Sequence, residues 1–221
     1  MSRRRDLEAV LLDLDGTLLD TATDMAAALN QLRRDEGLEP LPFAAVRPQV
    51  SNGSAGLLEL GFGQLEPGPF ELLRSRFLAH YRRGLAEQTR LFDGFDEVLT
   101  AIEAAGMRWG IVTNKPGWLT DPLLAALGLA ARSSCTVSGD TLAERKPHPL
   151  PLLYAAACLG LPAERCVYVG DAERDVQAAH GAGMMALVAG YGYLGADDDP
   201  ASWQPAAVLE RPSDLLAWLG L

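Results

Sequence analysis

The stretch VLLDLDGTLLD at residues 10–20 sets the problem that the rest of the chain answers. Its apolar run is that of a strand buried on both faces, yet it carries Asp13 and Asp15 and breaks at once into Gly16 and Thr17. A carboxylate taken out of water without a partner costs several kcal/mol, a large share of a small domain's stability margin. Two aspartates one residue apart face the same side of a strand, unless the strand ends between them. At the carboxyl end of a first strand they suggest a divalent cation and an acid/base pair.

Working outward, similar apolar runs bounded by turn residues recur at LEAVLLDLDG (7–16), MRWGIVTN (107–114), SCTVSGD (134–140), RCVYVGD (165–171) and MMALVAG (184–190), with AAVLE (206–210) as a weaker sixth. Segments of helical period lie between them at 95–105, 119–127, 149–159 and 175–182, ending near Gly106, Gly128, Gly160 and Gly183. This alternation predicts an α/β fold, a doubly wound parallel Rossmann-like sheet. Residues 21–88 break the rhythm. They hold amphipathic pieces (MAAALNQLRRDEG, SAGLLELGF, PFELLRSRFLAHYRRGLAEQ) separated by Pro- and Gly-bearing turns, with no convincing strand. The expected organisation is an α/β core of residues 1–20 and 89–221 with an inserted α-helical cap domain at 21–88. Such an insertion hangs over the strand ends where open α/β sheets bind ligands.

Composition narrows the class. The 221 residues are 48% hydrophobic and 22% charged, as in ordinary globular proteins. No apolar run approaches the roughly 20 residues of a membrane helix, and the Arg3–Arg5 cluster runs into Asp6 and Glu8 instead of a signal-peptide core. A cytoplasmic protein without a membrane partner is expected. The net charge, 19 minus 29 or −10, argues against nucleic acid and means that an anionic ligand needs a local attractor. Cys135, Cys158 and Cys166 lack metal-ligand spacing and are read as small hydrophobes.

Further polar residues gather at the strand ends. GDAERD places Gly170 and Asp171 after one apolar run and Asp175 four residues on, and hard oxygen ligands so clustered suit Mg²⁺. TNK supplies Thr113, Asn114 and Lys115, while ERKPHP presents Lys146 between turn formers; hydroxyl, amide and ammonium groups suit a phosphate. Of 19 basic residues only Lys115 and Lys146 are lysine, which points to a task for a compact point charge.

Together, DLDGT at 13–17, TNK at 113–115, Lys146 before Pro147 and GDAERD at 170–175 resemble the four motifs of the haloacid dehalogenase-like superfamily, in order and over nearly the whole chain. The resemblance implies a phosphatase in which Asp13 is the nucleophile that forms an aspartyl-phosphate and Asp15 the general acid and base. It implies Mg²⁺ held by the Asp13 carboxylate, the Asp15 carbonyl and Asp171. Thr113, Asn114 and Lys146 would bind phosphate, with Asp175, Gly170 and Lys115 supporting the site from behind. Dehalogenase members lack an acid at the position of Asp15, and phosphonate-cleaving members use a cap lysine, of which residues 21–88 have none. Phosphomutases keep both aspartates and remain an alternative. A binding protein on this fold would have lost a motif residue, and none is lost.

The inserted segment is similar to the cap of phosphoglycolate phosphatase-like members, and PQVSNGSAG (48–56) to their Gly-containing cap loop. Arg47, Ser51, Asn52 and Gly53 are the candidate substrate contacts there; a helix N-cap with a solvated Arg is the structural alternative. GYGYLGADDDPASW (190–203) resembles a segment of the subgroup that dephosphorylates N-acetylmuramic acid 6-phosphate. The expected partner is a small anionic phosphorylated metabolite, with phosphoglycolate or that sugar acid phosphate leading, and with the oligomeric state left open.

Overall fold

A computed structural model describes residues 6–221. In chain order its strands and α-helices are β1 (Ala9–Leu12), β2 (Leu19–Asp20), α1 (Ala22–Asp35), α2 (Phe43–Val46), α3 (Gly53–Phe62), α4 (Pro67–Arg83), β3 (Arg90–Leu91), α5 (Phe95–Ala104), β4 (Arg108–Val112), α6 (Gly117–Ala126), β5 (Thr136–Val137), α7 (Leu150–Cys158), β6 (Cys166–Gly170), α8 (Glu173–Gly181), β7 (Met185–Ala189), β8 (Ala207–Leu209) and α9 (Asp214–Leu219). The six expected apolar runs form one sheet in the order β5-β4-β1-β6-β7-β8, parallel throughout. The α/β, doubly wound fold class is therefore the observed one.

Register explains why the polar strand ends converge. Ala9 of β1 pairs with Arg108 of β4 on one side and with Cys166 of β6 on the other. The residues after β1, β4 and β6 thus emerge side by side, at the point where the strand order reverses direction. Alternate β1 side chains feed two cores. Val10 and Leu12 pack in the layer that includes α5, α6 and α9, while Ala9 and Leu11 pack with α7 and α8. Each helix earns its place by pattern: α5 begins after Gly94 (φ +87°), carries Asp96 and Glu97 in its first turn, and buries Phe95, Val98, Leu99 and Ile102 at three- and four-residue spacing.

Residues between β2 and β3 are helical, and α1, α3 and α4 share a separate apolar cluster built on Met25, Leu29, Leu32, Leu57, Phe77 and Tyr81. The base of this insertion is an antiparallel ribbon in which Leu19 opposes Leu91 and Asp20 opposes Arg90. The ribbon lies outside the sequence expectation, because two-residue strands carry no period. Asp24 ties the insertion's ends together by accepting from the Gln88 and Thr89 N–H groups and from Thr89 Oγ1 at 2.7 Å.

Candidate active site

The site grows from the end of β1. The strand stops at Leu12, so Asp13 and Asp15 do not share a strand face. Asp13 N–H still donates to Val169 O at 2.9 Å, after which Leu18 and Leu19 fold back onto Leu14 O and turn the chain away. Gly16 makes the turn possible. Its φ of +81° is left-handed, and a Cβ there would stand 2.0 Å from Asp171 Oδ2. The turn sends the Asp15 carboxylate to other partners: Oδ1 accepts from Thr21 Oγ1 at 2.7 Å and from Lys115 Nζ at 2.8 Å.

Asp13, Asp171 and Asp175 are buried and offer ligand oxygens within 4.8 Å of one another. Lys146 Nζ sits among them, 2.8 Å from Asp13 Oδ1 and 2.8 Å from Asp175 Oδ1, and donates to Tyr168 OH at 2.7 Å. Tyr168 in turn donates to Val112 O, which fixes the end of the relay. Burial raises the pKa of Asp13, with Lys146 opposing and Asp175 adding to the rise. Burial, then Asp13 and Asp175, push Asp171 up to about 7. For Lys146, burial works against the charge, but Asp13 and Asp175 outweigh it and the pKa rises. Asp171 Oδ2 accepts from Ser51 Oγ at 2.5 Å and from Tyr193 N–H at 3.0 Å, while its buried Oδ1 has no hydrogen-bond partner among the described residues. Three hard carboxylates within 4.8 Å of one another, one with an orphaned oxygen, fit a divalent metal ion even with Lys146 and Arg174 beside them. The Asp15 carboxylate is not in this cluster.

Side-chain directions give the expected residues partners that the sequence does not show. Asn114, expected on phosphate, lines the cavity and also braces the Lys146 loop: Nδ2 donates to Lys146 O at 2.9 Å and Oδ1 accepts from Lys146 N–H at 3.1 Å. Both lysines are buried at the strand ends, each on its own carboxylate. Lys146 is pinned beneath the carboxylates at 2% exposure, whereas Lys115 lines the cavity beside Asp15. Its own pKa rises: burial opposes the charge, and Asp15 outweighs that penalty. Thr113 lines the cavity as well, its Oγ1 accepting from Lys115 N–H. Gly170 is required by close approach, since a Cβ there would lie 2.4 Å from Asp175 Cβ.

Arg47 finds partners on the core instead. It does not line the cavity; its guanidinium donates to Gly192 O and Tyr191 O at 3.0 and 3.2 Å and lies 4.9 Å from the Tyr193 ring centroid. Arg47 thereby ties the segment before α3 to the loop after β7. Ser51, Asn52 and Gly53 do face the cavity. Arg174, absent from the expectation, lines it too and donates to Ser51 O, a second bond from core to cap.

The cavity has a volume of about 770 Å³. Its floor holds Asp13, Asp15, Thr113 and Lys115, and its cap wall is lined by Phe70, Arg74, Phe77 and Tyr81. A larger groove of about 830 Å³ lies between α1 and α4, away from the strand ends. It holds none of the strand-end residues, so the chemistry belongs to the smaller cavity.

A doubly wound sheet whose first strand ends in a buried Asp–Lys pair under a helical insertion has the architecture of the haloacid dehalogenase-like hydrolases. Residues 10–189 match the family model described as haloacid dehalogenase-like hydrolase, and the chain belongs to that family. It is 49% identical over 207 residues to a phosphoglycolate phosphatase of Xanthomonas campestris pv. campestris, covering 94% of each chain. It is 40% identical over 215 residues to an N-acetylmuramic acid 6-phosphate phosphatase of Pseudomonas aeruginosa, covering 97% of this chain and 95% of that one. Among solved structures, a predicted phosphoglycolate phosphatase from Haemophilus somnus 129pt superposes with a TM-score of 0.86 at 29% identity, over 96% of this chain and 98% of the other.

Proposed function

We propose that the protein is a Mg²⁺-dependent phosphomonoester hydrolase acting on a small phosphorylated metabolite, with residues 21–88 as its cap and the rest of the chain as its catalytic core. The observation that carries this reading is the separation of two carboxylates at one cavity. Asp13 is shielded and paired with Lys146, while Asp15 is held apart on Lys115 and faces the opening. Paired carboxylates in unlike surroundings divide the labour of nucleophile and acid/base.

In this mechanism an Asp13 carboxylate oxygen attacks phosphorus, and the ester oxygen leaves with the proton of Asp15. Asp15 then takes a proton from water as that water attacks the aspartyl-phosphate, releasing phosphate and restoring Asp13. Lys115 and Thr113 supply donors to the phosphoryl oxygens from the cavity floor, and Lys146 orients Asp13 from beneath. Asp13 and Asp171 would hold the metal, with Asp175 supporting them; the ion supplies charge neutralisation for the transferring group. Positioning and electrostatics account for most of the rate.

Two substrates compete, phosphoglycolate and N-acetylmuramic acid 6-phosphate, the substrates in the names of the two relatives. The size and partly aromatic lining of the cavity favour the larger ester as a second reading. Phosphate release from a panel of phosphomonoesters, with Mg²⁺ present or chelated, tests the function. Metal-dependent release from small anionic esters is expected, and no release from any ester would overturn it.

A further inference from the structure

The cavity wall contributed by the cap is one face of α4. Phe70, Arg74, Phe77, Leu78 and Tyr81 line it, at the three- and four-residue spacing that keeps side chains on one side of a helix. At its inner end this face meets the catalytic floor: Lys115 Nζ, the partner of Asp15, lies 4.6 Å from the Tyr81 ring centroid. Arg74 lies seven residues earlier, about 10 Å along the axis at 1.5 Å per residue, and helical side chains lean further toward the N-terminus. A guanidinium is therefore set among Phe70, Phe77 and Leu78, well away from the reacting carboxylates, with exposed Glu71 lining the cavity beside it as a salt-bridge partner at 3.4 Å; an exposed pair of this kind is weak and leaves the guanidinium open to a second anion.

Arg74 is anchored without being used up. Its Nε donates to Ser54 Oγ at 3.3 Å and its Nη1 reaches Glu71 at 3.4 Å, both long bonds, and a guanidinium has five N–H donors. Of the other guanidinium groups at the cavity, Arg145 lies on the exposed loop next to Lys146, and Arg174 already serves Ser51 O and sits in the field of Asp175, Asp13 and Asp171, which assigns both to the phosphate end. Arg74 has a different task. In a chain of net charge −10, a cation facing a cavity from the cap attracts an anionic group of the ligand other than its phosphate.

Distance selects the ligand. A two-carbon acid places only three bonds of about 1.5 Å between phosphorus and its carboxyl carbon, too few to touch both the floor and Arg74. A hexose-sized body can span the gap and lay an apolar face against Phe70 and Phe77, within a cavity of about 770 Å³. Resting on the phosphatase reading above, we propose that Arg74 is a specificity-determining residue that binds a carboxylate at the far end of a phosphate ester of about hexose size.

The test is a ratio of kcat/KM values for a matched pair. N-acetylmuramic acid 6-phosphate and N-acetylglucosamine 6-phosphate share a ring and phosphate and differ in the carboxylate-bearing lactyl arm. The native protein is expected to prefer the acid by at least about 10-fold, as for a charge-assisted hydrogen bond. Arg74→Gln should collapse that ratio, Arg74→Lys should retain part of it, and Arg47→Gln should leave it in place. A native ratio near one, or a ratio untouched in Arg74→Gln, overturns the assignment. A native preference for 2-phosphoglycolate over the sugar acid overturns the size argument. Failure to hydrolyse any ester sinks the phosphatase reading itself and is distinguished from these outcomes by the absence of phosphate release.

Discussion

Lys146 Nζ lies 2.8 Å from both Asp13 Oδ1 and Asp175 Oδ1, with 1% of its side chain exposed. Removing one partner from such a buried network leaves uncompensated charge. Lys146→Met should cost about 3–5 kcal/mol of stability in urea unfolding, and activity should fall with it. Pairing it with Asp13→Asn should recover part of the loss, because the two residues share one interaction. Strict additivity would show that the pair is not coupled. Lys146→Arg should also be poorly tolerated, since Asp13, Asp175 and Tyr168 are spaced around a point charge and leave no room for a planar fork.

Asp13→Asn should abolish turnover by at least about 10³-fold while keeping the fold. Burial already disfavours the ionised form of Asp13, so a neutral isostere costs little stability. Asp15→Asn should fail differently. With an activated aryl phosphate, whose leaving group needs no proton, the phosphoenzyme should form and persist because the base for hydrolysis is missing. Intact-mass spectrometry after quenching distinguishes the two; an Asp15→Asn protein that never carries phosphate would contradict the division of roles.

The acidic cluster makes the metal requirement testable without turnover. Mg²⁺ at about 100 times its Kd should stabilise the native protein by about 2.7 kcal/mol, seen as a rise in Tm that a chelator reverses. Asp171→Asn should lose most of that rise, since Asp171 contributes the buried oxygen that no hydrogen bond satisfies among the described residues. An equal rise in both proteins would place the ion elsewhere.

What was legible in the sequence was whatever depends on strand pattern. Parallel strands covered on both faces are nearly continuous apolar runs, so β1, β4, β6 and β7 declare themselves, and a carboxylate following such a run, as at Asp13 and Asp171, is conspicuous. Side-chain direction was not legible where it is decided by partners far along the chain. Asn114 lines the cavity but also holds a loop 32 residues away, and Arg47 was captured by a carbonyl 145 residues away. Arg174 and Arg74 were hidden among the arginines of a chain with only two lysines, because only the fold shows which of them faces the cavity. Tyr168 lay inside an apolar run and reads as packing until Lys146 is seen on its hydroxyl.

Tyr193 joins α1 to the buried carboxylate cluster, and its hydroxyl gives the last prediction. Thr21 occupies the N-cap of α1 but makes no side-chain cap of its own, since its hydroxyl is committed to Asp15. The Tyr193 hydroxyl takes over that task, accepting from Thr21 N–H at 2.6 Å and Ala22 N–H at 3.0 Å while donating to Asp20 Oδ1 at 2.7 Å. Helix N-terminal amides left without an acceptor are costly when buried, and losing a cap typically costs about 1 kcal/mol, up to about 2. Tyr193→Phe should therefore lower stability by about 1–2 kcal/mol and speed amide exchange at Thr21 and Ala22. Its contact with Asp171 is different in kind, running through the backbone N–H, which phenylalanine retains. The Mg²⁺-induced rise in Tm should thus survive in Tyr193→Phe although the starting Tm is lower. Unchanged exchange at Thr21 and Ala22 would show that α1 is capped by something else, and a lost metal response would show that the hydroxyl, not the backbone, holds Asp171 in place.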